Sequence, residues 1–130
     1  MNSFDIGVCA EVNARDFLEK NGLWFIENNF VAYNPAGKRC GEIDLIMRDC
    51  EHTVFIEVKM RDSSDHGTAL EMITPKKQNR IKLAAKYYLT QQGQWDRVLS
   101  RFDVVTITPD TENPPHHIIT WIKNAFEVQY

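Results

Sequence analysis

The chain has 130 residues, 15 Lys+Arg against 18 Asp+Glu for a formal charge of −3, and 43% hydrophobic content. That length suits one domain spanning residues 1–130, whose folding buries roughly two thirds of the surface an extended chain exposes. A 25% charged fraction with six Gly and five Pro excludes disordered and fibrous classes, and the acidic balance excludes a wholly basic, histone-like binder.

The opening Met-Asn-Ser-Phe-Asp-Ile-Gly has neither a basic segment nor a cleavage-type apolar block, so no export signal is expected. Residues 4–21 read as a helix, with Ile6, Ala10, Ala14, Phe17 and Leu18 at three- and four-residue steps and Asn21-Gly22 as the stop. Leu23 to Tyr33, rich in aromatic and branched residues, predicts a strand, and Asn34-Pro35-Ala36-Gly37 a turn. Gly41–Met47 and Thr53–Met60 predict two more strands, joined by a short polar link as an antiparallel hairpin. A polar loop follows, with a helical turn expected over 69–73.

Thr74-Pro75 predicts an N-cap with proline at the first helical position. The helix it opens runs to about Gln92, with Ile81, Ala84, Ala85, Tyr88 and Leu89 on one face and Gly93 as terminator. Arg101–Thr108 predicts a strand, and His116–Thr120 a last strand before a short amphipathic tail, Trp121–Phe126. The expected class is α/β, a mixed sheet flanked by helices in the order α-β-β-β-α-β. No apolar run approaches the roughly 18 residues of a membrane span. Cys9, Cys40 and Cys50, scattered and odd in number, fit a reducing compartment, and a cytoplasmic protein is expected.

The informative charges fall where the pattern calls for apolar groups. Strand alternation puts Glu42, Asp44 and Ile46 on one face and Ile43, Leu45 and Met47 on the other. In the next strand Phe55, Glu57, Lys59 and Arg61 share a face. An ionised carboxylate buried alone is very costly, so such groups are paired or bound to metal. Lys59 lies about 6.6 Å beyond Glu57 on the same face, so one hairpin can present two carboxylates and an ammonium to a single point. Glu11, at the margin of the first helix's apolar stripe, can approach the same point. Hard divalent ions such as Mg2+ take carboxylate oxygens together with water and phosphate, and the parts suit phosphodiester hydrolysis. A cross-strand salt bridge of Asp44 or Glu57 with Lys59 on a half-exposed sheet fits the pattern equally well.

Gly41-Glu42-Ile43-Asp44-Leu45-Ile46, followed by Val54-Phe55-Ile56-Glu57-Val58-Lys59-Met60-Arg61, resembles the YraN-like bacterial family, a group of predicted PD-(D/E)xK nucleases. The likeness extends to Gly7 with Glu11 and Ala14, to Lys77 ahead of Ala85 and Leu89, and to Arg101-Phe102-Asp103-Val104-Val105. It covers roughly Gly7 to Phe126. The resemblance implies a restriction-endonuclease-like core similar to archaeal Holliday-junction resolvases. It also implies Asp44 and Glu57 as ligands of Mg2+ or Mn2+, with the carbonyl of Val58 as a third. Lys59 would be the catalytic lysine and Glu11 the accessory helix acid. Ile43 stands where the motif has proline, and Ala10 where glycine usually precedes the helix glutamate. Resolvases of this fold act as dimers, so a homodimer is expected by analogy.

Residues 76–86 hold five cations and no acid, and Lys59 to Arg101 holds nine basic and four acidic residues, leaving −8 for the remainder. Lys76 and Lys77 sit in a first helical turn, where the macrodipole disfavours positive charge. A phosphate backbone would use both these lysines and the free N–H groups. Arg61, Lys76, Lys77, Gln78 and Arg80 are therefore the expected nucleic-acid contacts, with DNA the expected partner; a solvated helix face is the plainer alternative. Trp24, Trp95 and Trp121 are expected to pack rather than to stack on bases. Asp103 is expected to meet Arg101 or a helix end, and Ser63, Ser64 and His66 lie in the loop beside the proposed site. The leading expectation is a metal-dependent nuclease acting on DNA, including branched or repair intermediates. The alternatives are a non-catalytic nucleic-acid-binding module of the same fold and a structural or protein-interaction domain.

Overall fold

The computed structural model describes residues 3–62, 71, 73–95 and 97–127, with side chains from Cys9 onward. Ser63, Ser64 and His66, most of the helical turn expected over 69–73, and the side chain of Ile6 lie outside the described residues. Helix α1 covers Ser3–Lys20 and ends where Gly22 takes a φ of +95° and the Leu23 N–H returns to the Leu18 carbonyl. Strands β1 (Trp24–Tyr33), β2 (Arg39–Asp49) and β3 (His52–Met60) form two successive hairpins. The first turns at Asn34, whose side chain accepts from the Lys38 N–H. The second turns at Cys50, in the left-handed region at φ +53°. Helix α2 (Pro75–Gln91) opens as expected: Pro75 starts it and Thr74 Oγ1 accepts from the Lys77 N–H at 3.2 Å. β4 spans Leu99–Pro109 and β5 spans His117–Phe126.

The five strands lie in the order β1-β2-β3-β4-β5, antiparallel except for β3 and β4. A parallel pair needs a long crossover, and α2 lies within it. The expected amphipathic tail is instead part of β5. Trp121 pairs with Val105, Ile122 with Val104 and Phe126 with Phe102, so the residues follow a strand's two-residue period along an existing edge.

Each face of the sheet carries one helix. Ala10, Ala14 and Leu18 of α1 pack on Leu45, Met47, Val54 and Ile56. On the other face Ile81, Ala84, Ala85, Tyr88 and Leu89 of α2, the predicted stripe, meet Ile46, Phe55, Phe102 and Val104. Phe55 and Phe102 stack at 5.5 Å and Phe102 and Phe126 at 5.0 Å; each fully buried ring contributes roughly 1.5–3 kcal/mol. Gly41 lets α2 approach β2, since a Cβ there would collide with the Arg80 carbonyl oxygen and lie 3.1 Å from Ala84 Cβ. Among the described residues no helix is long and apolar enough to cross a membrane.

Strand β2 departs from simple alternation. Leu45 and Met47 face α1 and Ile46 faces α2, but Ile43 also packs in the α2 layer. Residues two apart, Ile43 and Leu45, therefore face opposite layers, and the expected common face of Ile43, Leu45 and Met47 is corrected. The switch falls at Asp44. Across the hairpin, Asn28 pairs with Leu45 and Phe30 with Ile43, which sets Asn29 opposite Asp44. Asn29 has a φ of +52°, a left-handed conformation that asparagine tolerates better than most side chains. A left-handed residue in one strand and a change of face in the other turn the ribbon at this point.

Candidate metal and nucleic-acid site

Pairing of β2 with β3 runs from Asp49–His52 to Leu45–Ile56 and stops there, while β3 continues beside β4 to Met60. Beyond the last pair the Val58 N–H faces β2 without a backbone partner there, and Asp44 Oδ2 accepts it at 2.8 Å. Within a strand the N–H and C=O of one residue point to the same neighbour, so the Val58 carbonyl also faces this gap. Glu57, 5% exposed, is among the few buried charged residues. The Asp44 side chain lies beside it, close enough for the two carboxyl groups to interact. Burial, and then the Glu57 charge, push the Asp44 carboxyl up to about 7, with the Val58 N–H pulling the other way. The two acids expected to converge do so.

The cation closing on this pair is Lys77. Its Nζ lies 2.6 Å from Glu57 Oε1, with the lysine side chain 44% exposed and that of Glu57 6%. Burial works against the Lys77 ammonium, but Glu57, and then Asp44 and Glu42, outweigh it and raise its pKa. Lys59, half-buried and opposite Thr106, makes no ion pair among the described residues. The bland alternative of an Asp44 or Glu57 bridge to Lys59 is therefore not what forms; Glu57 is bridged from α2.

The remaining candidates spread outward from this point. Glu11 is half-buried on α1, where burial first, and then the Asp44 charge, raise its carboxyl while a hydrogen bond with Asn29 opposes them. It lines a small cleft with Asn28, Asn29 and Arg15. Lys76 and Arg80 are exposed on α2. Gln78 donates through Nε2 to the Ile73 carbonyl, holding the entry to the helix. The Arg61 N–H donates to the Ile107 carbonyl, and its side chain is half-buried. Asn29 is the residue that sequence reasoning missed. The signal was available: two asparagines interrupting an aromatic strand directly before Phe30.

Among the described residues no three His, Cys, Asp or Glu side chains converge to hold an ion. The donors present are two carboxylates and a strand carbonyl, all hard oxygens. That set fits Mg2+ or Mn2+, which take one or two carboxylates and complete their shell with water and phosphate. It does not fit a zinc site of nitrogen and sulfur.

A second buried acid has a different role. Asp103 Oδ1 accepts from Arg101 Nε and the Asn124 N–H, and Oδ2 from Arg101 and Trp121 Nε1, each at 2.9 Å. Arg101 also pairs with Asp49 at 2.9 Å. The expected contact of Asp103 with Arg101 is present. Trp121 also packs edge-on against Phe17, and Trp95 lies partly buried beneath Lys86, whereas Trp24, expected to pack, is 77% exposed at the start of β1.

Residues 10–107 match the sequence model of the family described as Uncharacterised protein family UPF0102. A UPF0102 protein of Coxiella burnetii is 45% identical over 125 residues, 96% of this chain and 94% of the relative. One of Ectopseudomonas mendocina is 41% identical over 123 residues, 95% of each chain. One of Klebsiella pneumoniae is 46% identical over 121 residues, 92% of this chain and 84% of the relative. The match takes in both strands of the acid pair and the helix that supplies Lys77, and the chain belongs to the UPF0102, or YraN-like, family.

Proposed function

We propose that this protein is a nuclease of restriction-endonuclease-like fold that hydrolyses phosphodiester bonds in DNA with Mg2+ or Mn2+. The observation that carries the reading is the contact of Asp44 with Glu57 in the gap where β2 leaves β3, beside the Val58 backbone. Two carboxyl groups side by side, with Asp44 raised by burial and then by the Glu57 charge, favour a cation placed between them. Asp44, Glu57 and the Val58 carbonyl would hold the ion. When bound, such an ion polarises a phosphoryl oxygen and acidifies water.

The other residues act on the substrate and the pair itself. Lys59, on the face of Glu57 and without an ion pair among the described residues, is available to stabilise negative charge developing at the scissile phosphate. Glu11 and Asn29 flank Asp44 from the α1 side. Lys76, Lys77, Arg80 and Arg61 supply positive charge for the phosphate backbone, whose binding falls steeply with salt.

The test is Mn2+ titration joined to cleavage assays on single-stranded, duplex, flap and four-way DNA. Asp44→Ala abolishes cleavage, and Lys59→Ala lowers it about 10²–10³-fold, both with unchanged circular dichroism. Full activity in either variant refutes the assignment. One observation favours a second reading, a nucleic-acid-binding module without hydrolysis: Lys77 already neutralises Glu57. Saturable metal binding with no turnover on all four substrates selects that module.

A further inference from the structure

Lys77 can belong either to the acid pair or to the nucleic-acid surface, and it cannot serve both at once. It stands in the first turn of α2, three residues after the Thr74 cap, with its ammonium against Glu57. Its neighbours Lys76 and Arg80 point to solvent and carry no ion pair among the described residues. Arg80, three positions on, lies on the same side of the helix as Lys77. The side chain is almost half exposed and unbranched, so its ammonium is free to turn from Glu57 to the solvent side where Lys76 and Arg80 stand. A divalent ion held by Asp44 and Glu57 would favour that turn by repulsion and by taking over the Glu57 oxygen.

We infer that Lys77 is the resident counter-cation of the acid pair, displaced by a divalent ion and then received by a nucleic-acid phosphate. Metal and nucleic acid consequently raise each other's affinity. The inference rests on the proposed metal site. The coupling is reciprocal by thermodynamic necessity: if the ion frees Lys77 for phosphate, phosphate frees Glu57 for the ion by the same factor. The device gives the site a preference for filling when nucleic acid is present, and it keeps Glu57 neutralised when it is not.

The experiment is calorimetric titration of the full chain with Mn2+ at pH 8, without nucleic acid, for wild type and Lys77→Met. The variant removes the competing charge and keeps the aliphatic stem, and it is expected to bind Mn2+ about tenfold more tightly, within the usual range of such couplings. Equal or weaker binding than wild type overturns the inference while leaving the metal site standing. Absence of Mn2+ binding in both proteins overturns the metal site and the inference together. A second measurement uses a fluorescently labelled duplex in EDTA. Glu57→Gln releases Lys77 without metal, so it binds the duplex several-fold more tightly than wild type, with a salt slope steeper by about one. Glu57→Gln/Lys77→Met lacks that gain. If the double variant keeps it, loss of an acidic charge alone explains the effect and the proposed exchange is wrong.

Discussion

Two acids on the same sheet, Asp103 buried and Asp44 half-buried, live in opposite circumstances. Asp103 has four donors on its two oxygens, two of them from a guanidinium. Asp44 has one backbone N–H and, as its other partner, a second acid. A carboxylate that is fully satisfied is a fastener: its charge is neutralised where it sits, and nothing further is gained by a ligand. A carboxyl held against another carboxylate is short of positive charge. The difference separates architecture from chemistry among residues that look alike in sequence, since each simply interrupts an apolar run.

The contrast can be broken at either end. Asp103→Ala leaves Arg101 and the Trp121 N–H without their carboxylate and costs about 3–5 kcal/mol of stability, read from urea denaturation midpoints. Gly41→Ala forces α2 away from β2 at the Arg80 carbonyl and costs about 1–3 kcal/mol. It also weakens the Lys77–Glu57 pair, seen as a change in Mn2+ affinity, while the Asp103 end is untouched.

Asp44→Asn has the opposite sign. The native carboxyl titrates near 7 against 3.8 for its unperturbed value, so the folded state binds more protons than the unfolded state across that interval. Wild-type stability from this group is full below about pH 4 and is lost as pH rises towards 7. Asparagine keeps the Val58 contact and never ionises. The variant is therefore more stable than wild type by on the order of 2 kcal/mol at pH 8 and equal to it at pH 4, measured by thermal melts across pH. A destabilised variant at pH 8 would show that Asp44 is satisfied as Asp103 is. The smallest effect is at Asn29: Asn29→Ala costs about 1 kcal/mol more than Asn29→Gly, because only glycine accepts the +52° φ freely. Equal midpoints for the two variants would remove the backbone from the account of how Asp44 is turned.

Much of the fold was legible because it is local. The α2 stripe, the Thr74-Pro75 start and the β2–β3 hairpin each follow from periodicity and turn residues within a few positions. The acid pair was legible for the same reason, since both members sit on one hairpin. Three features were not. The face change at Asp44 depends on a left-handed asparagine in a different strand, which strict alternation cannot represent. The ion pair of Lys77 with Glu57 depends on how a helix is seated some twenty residues later, on its apolar stripe and on the close approach that Gly41 allows, rather than on either charged residue. The extension of β5 through Phe126 was masked because Trp121–Phe126 also fits a helical period, and only the waiting edge of β4 decides between them.

β5 leaves half of its side chains to water, and by surface area alone it reads as expendable. Yet Trp121 and Asn124 deliver half of the donors on a carboxylate that no solvent reaches. A protease nick in the connection over 110–116, followed by departure of the severed ribbon, would strand that carboxylate with its guanidinium alone. The endurance of the whole molecule against digestion is therefore governed by its grip on one half-exposed edge strand.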